Sequence, residues 1–123
     1  VSTPSTQTQT AQLCVDLDRK TREYEQIARA RADAEVDFKA ARARRILTAR
    51  AEGAKSIAEA ETQAAADPAI ERLWRAHLIA DGIADAATKS IFALRTRIEF
   101  GRSLIATERA ADSLYAQGTS GAT

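Results

Sequence analysis

His77, Asp81 and Asp85 stand four residues apart, so on a helix they fall close to one face. Imidazole and carboxylate in that order are donors for a divalent cation, provided another chain completes the shell. A more economical reading makes His77 a helix-seam residue and pairs Asp85 with Lys89. Little else is equipped for catalysis. The chain has one histidine and one cysteine, Cys14. It shows no Gly-rich phosphate loop, no paired-cysteine metal pattern, and no serine or cysteine in a nucleophile context. Glu52, Glu59 and Glu61 crowd one region without a spacing that fixes a geometry. The expectation is a non-enzymatic protein with no catalytic, cofactor or metal residues.

A second candidate chemistry is anion binding. Lys39, Arg42, Arg44, Arg45 and Arg50 follow one another with no acid among them. A basic helical segment of this kind can neutralise phosphates without reading bases. Against it stand the acids that follow, Glu52, Glu59, Glu61, Asp67 and Glu71, which can neutralise the arginines across a turn. There is also no aromatic interleaving for base stacking. The whole-chain charge is +1, so no global field draws the molecule to nucleic acid or to an anionic membrane.

The elements that carry these residues are helices. Ala, Glu, Lys, Leu and Arg make up about half of the 123 residues, a long-helix composition. The apolar fraction of 45% overstates the core, because about half of it is Ala. Between Pro4 and Gly53 there is neither Gly nor Pro. The sequence predicts a lead-in over 1–10, a first helix over about 11–52, a short helix over 57–66, a third helix over 68–117 and a tail over 118–123. Gly53 stands where a C-terminal cap belongs, Ser56 and Glu59 have capping-box spacing, and Asp67-Pro68 supplies an N-cap followed by Pro at the first helical position.

Both long helices carry a seam with steps of three and four. On the first it reads Leu13, Leu17, Lys20, Tyr24, Ile27, Arg31, Ala34, Phe38 and Ala41. On the third it runs from Ile70, Leu73 and His77 through Ala80, Ala84 and Ala87 to Ile91, Leu94, Ile98, Gly101 and Ile105. Folding back antiparallel places Phe38 against Ala80 and Ala84, and Tyr24 against Leu94 and Ile98. Gly82 and Gly101 inside the third helix hint at close approach or a bend.

The expected fold is all-α: an antiparallel, coiled-coil-like hairpin of long helices with a short helix at the corner. Trp74, Leu78, Ile79, Ile83, Phe92, Phe100, Leu104, Leu114 and Tyr115 lie off the seam. A hairpin leaves several of them exposed, so a homo-oligomer is expected, with Trp74, Leu78, Phe92, Phe100, Leu104 and Tyr115 as candidate partner-binding residues.

The stretch Ala93-Leu94-Arg95-Thr96-Arg97-Ile98-Glu99-Phe100-Gly101-Arg102-Ser103-Leu104, with Leu17-Asp18-Arg19-Lys20-Thr21 and Ala51-Glu52-Gly53, resembles small helical proteins of bacteriophages and prophages of high-GC Gram-positive (actinobacterial) hosts. The resemblance spans about 13–110. It implies a phage or prophage origin, within a block of replication and recombination genes, and carries over no activity or site residue. Three functions follow as expectations. The first is an accessory protein that binds a host or phage protein and its own copies. The second is a nucleic-acid-binding factor of phage replication or recombination using the stretch Lys39 to Arg50, and the third a structural component of the virion. A single cysteine and the lack of any apolar run of about 18 residues fit the host cytoplasm, with no membrane span.

Overall fold

The computed structural model describes residues 5–121, which form three helices: α1 (Thr6–Ala51), α2 (Ile57–Ala66) and α3 (Pro68–Gly121). The long helices pack against each other as a hairpin, with the short one between them. Contacts divide the chain into two units, Val1–Arg22 with Thr88–Thr123, and Glu23–Ala87.

In the unit Glu23–Ala87 the corner is built from local signals. Gly53 takes φ of 111°, Ala54 N–H donates to Ala49 O at 2.9 Å, and Gly53 N–H donates to Arg50 O at 3.2 Å. That is a Schellman stop, and it needs a residue without a Cβ. The motif also packs Ala54 and Ala49, which join Ala60 and Ile46 in a small apolar cluster. Ser56 Oγ accepts from Glu59 N–H at 3.1 Å, and the Glu59 carboxylate reaches back to Lys55 N–H at 2.9 Å. The capping box is thus reciprocal, with its return bond shifted one residue upstream. Asp67 caps α3, its Oδ1 accepting from Ala69 N–H at 2.9 Å. Its Oδ2 accepts from Arg45 Nε at 3.1 Å, which ties α1 to the start of α3.

In the other unit, α1 meets the far part of α3. Thr6 Oγ1 donates to Glu108 Oε1 at 3.1 Å, and Thr10 is buried at the seam position of Gly101. A methyl group on Gly101 would overlap Thr10 Oγ1 and stand 3.3 Å from its Cβ. Only glycine admits the β-branched side chain there.

Both seams are the covered faces, as their spacing predicts: every seam position named above on α1 and α3 is buried or half-buried. The core is thin. Its buried members are Ala49, Ala54, Ala60, Ala64, Ala84, Ile70, Leu94 and Ile98, and no large side chain among the described residues is fully buried.

The sequence places a lead-in over 1–10; residues 1–4 lie outside the described residues, and α1 begins at Thr6. Ser5 Oγ accepts from Thr8 N–H at 3.2 Å as its cap, and Thr10 serves as a packing residue. The third helix does not stop at 117. Gly118 keeps a negative φ, so it does not act as a cap, and α3 runs to Gly121 with 122–123 outside the described residues. The register also differs. Phe38 stacks on His77, ring centroids 6.0 Å apart and planes within 2°, about one turn before Ala80. Ile98 shares a groove with Cys14 and Leu17. Thr10 in the Gly101 notch and the flat Phe38–His77 stack fix this pairing, and neither is a large-against-alanine contact.

The two helical glycines therefore respond in opposite directions. Gly82→Ala meets no atom within 4 Å and should stabilise by up to about 1 kcal/mol through helix propensity. Gly101→Ala gains the same propensity but overpacks Thr10, a cost of about 1–3 kcal/mol, so it should destabilise on balance. Thermal unfolding of both variants, followed by circular dichroism, checks the contrast. Equal shifts of the same sign would contradict it.

Candidate interaction surface

The basic stretch becomes a set of unequal residues once the corner is in place. Arg45 is committed to Asp67, the two side chains being 27% and 28% exposed. Arg50 Nη1 donates to Ala54 O at 3.0 Å, and Lys39 Nζ donates to Glu35 Oε1 at 2.7 Å. That hydrogen bond, and then the Lys39 charge, hold the Glu35 carboxyl below its usual range, with lesser help from His77 and Arg31. The folded pKa is depressed, so the pair contributes at neutral pH and its contribution is lost as pH falls through the carboxylate range. Arg42 and Arg44 are left as the cations of the stretch whose side chains carry no ion pair among the described residues. Of the acids expected to neutralise the arginines, Asp67 does so by direct contact.

His77 behaves as a seam residue. Its ring stacks on Phe38, and Nε2 lies 3.6 Å from Asp81 Oδ2. Among the described residues no group of three His, Cys, Asp or Glu side chains is placed to hold a metal ion. None of the described helices is long and apolar enough to cross a membrane.

The apolar candidates are all exposed. In the unit Glu23–Ala87, Trp74 and Leu78 sit one turn apart on α3, each nearly half exposed. In the other unit Phe92 is 71% exposed, Phe100 66% and Tyr115 79%. Phe100 and Leu104, one turn apart, border a groove with Thr6, Gln9 and Leu13 of α1. The six candidates are divided between the two units. They line the sides of α3 that the α1 seam does not reach, because a helix paired along one heptad seam covers only about a third of its circumference.

One juxtaposition was not legible in the sequence. In the unit Glu23–Ala87, Trp74 and Arg42, assigned separately to partner binding and to phosphate binding, border the same cleft. Phe38, Ala65, Ile70 and Glu71 complete its lining, and its volume is about 360 Å³. It joins apolar walls to a cation that carries no ion pair among the described residues. The signal for it is faint, because its walls come from α1, α2 and α3 and depend on the register.

The fold and this surface define a class: an all-α hairpin of two long helices, paired along one seam and carrying large apolar side chains on its uncovered faces. Comparison of the chain with family models, curated proteins and solved structures finds no match.

Proposed function

We propose that the protein is a non-enzymatic interaction protein. It acts by burying the uncovered sides of α3 against a protein partner and against its own copies, as an accessory factor of phage or prophage origin. The carrying observation is the exposure of large apolar side chains along α3, with Phe92, Phe100 and Tyr115 each about two-thirds exposed or more. Isolated exposed hydrophobics are ordinary, but several aromatics on one helix mark a surface that meets another. Burial of such aromatic anchors supplies most of the affinity at protein interfaces. Arg42 and Arg44 add orientation and steering to that burial. A separate observation disfavours phosphate binding as the main activity: Lys39, Arg45 and Arg50 already hold partners within the chain.

The test separates association from folding. Phe92→Glu with Phe100→Glu changes exposed positions only, so stability should move by less than about 0.5 kcal/mol per site. Association should weaken at least tenfold in sedimentation velocity. Unchanged association in a fully helical variant would overturn the reading.

A further inference from the structure

On α1, Val36, Ala40, Ala43 and Leu47 recur at steps of four, three and four, which makes a second apolar stripe on the side turned away from the seam of Ile27, Phe38 and Ala41. Val36 is 64% exposed and Leu47 70%, and Ala43 between them is exposed as well. The two alanines at the centre of the stripe let another helix come close. Charges beside the stripe are sorted by sign. Asp33 and Asp37 precede its centre and Arg44 follows it; all three are exposed and carry no ion pair among the described residues. Such a segment complements a reversed copy of itself and repels a parallel one.

We infer that a second copy of the chain lays the same stretch of α1, residues 33–50, antiparallel on this stripe. Val36 of each copy meets Leu47 of the other, Ala40 meets Ala43, and Asp37 meets Arg44 on one flank. One turn outward Asp33 comes to Arg50, which donates from Nη1 to Ala54 O and keeps its other N–H groups for that acid. The contact is isologous, so every pair occurs twice. A parallel pairing would set Asp37 beside Asp37 and Arg44 beside Arg44, which selects against it. The proposal rests on the self-association reading above and goes beyond it, because it adds a contact on α1 to the one on α3. A chain held at two contacts associates more tightly than at either one, so loss of either weakens assembly.

The experiment uses the full chain as wild type, Asp37→Arg, Arg44→Asp and the double variant carrying both changes, with helicity checked by circular dichroism. All four forms keep Phe92 and Phe100, so differences among them report the α1 contact alone. In sedimentation velocity at micromolar concentration the wild type should associate. Each single variant sets like charges against each other across the contact, twice over, and should associate at least about tenfold more weakly. An equimolar mixture of the single variants restores opposite charge at both places, and so does the double variant with itself. Both should associate within about twofold of wild type. Single variants that associate at wild-type strength overturn the α1 contact while leaving self-association standing, and so does a loss that neither the mixture nor the double variant restores. Charge variants that behave as expected while Phe92→Glu with Phe100→Glu leaves association unchanged overturn the α3 reading and support the α1 contact. A wild type that stays monomeric overturns both.

Discussion

Replacing Ile98 with Ala should lower stability by about 2–3 kcal/mol, roughly 10 °C in melting temperature. Ile98 is 3% exposed, the most deeply buried large side chain of the seam. Loss of a branched aliphatic from a closed core costs about 2–5 kcal/mol, and the lower half of that range applies here because the core is a single helix–helix seam that can partly collapse. The contrast is Ile79→Ala, the same change at a position 64% exposed, which should cost no more than about 0.5 kcal/mol. Urea unfolding of the two variants measures both. A similar cost at the two positions would mean that the seam is not the core. With a total stability of order 5–15 kcal/mol, the Ile98 change removes a large share of what holds the pair of helices together.

Asp67→Ala should be nearly as damaging, for a different reason. Asp67 caps α3 through Ala69 N–H and also neutralises Arg45. Loss of an N-cap costs about 1 kcal/mol. A mostly buried guanidinium left without its carboxylate adds about 1–2 kcal/mol, discounted from the fully buried case because both groups retain about a quarter of their exposure. Asp67→Asn separates the two roles: it keeps the acceptor for Ala69 and removes the charge, so it should lose about half as much. Limited proteolysis should cut near Gly53 to Ser56 more readily in Asp67→Ala than in wild type. Equal stability of the Ala and Asn variants would show that the cap bond to Ala69, which Asn keeps, carries nothing in this corner and that the loss is the ion pair's.

How much of this was legible in the chain follows from the kind of information each feature needs. The two seams were legible because steps of three and four along one helix decide which face is covered. The stops and starts at Gly53, Ser56 and Asp67-Pro68 were legible because capping is a contact between residues at most a few positions apart. The register was not. It depends on Thr10 entering the notch at Gly101, and a threonine in a polar stretch reads as solvent-facing until its partner is known. The same limit applies to the candidate surface. Trp74 and Arg42 each stood out, one as an off-seam aromatic and the other in a basic run. Their meeting required the α1 and α3 register together with Ala65 of α2. Glu71 accepts from Arg75 one turn along its own helix at 2.8 Å, the i,i+4 pairing that acid-before-base spacing on one helix makes legible.

Alanine has two roles in this hairpin. On the covered faces, Ala84 on α3 and Ala49, Ala60 and Ala64 around the corner are fully buried and let the helices approach closely. A core of such small residues yields little apolar burial per residue. The large side chains that would normally supply that burial stand on the uncovered faces of α3, where they stabilise nothing until another surface meets them.

The most direct test is the molar mass of the wild-type chain in solution, measured by light scattering across a dilution series from tens of micromolar downward. The account predicts a dimer or larger species at micromolar concentration that dissociates on dilution. A mass equal to one chain at every concentration would contradict it.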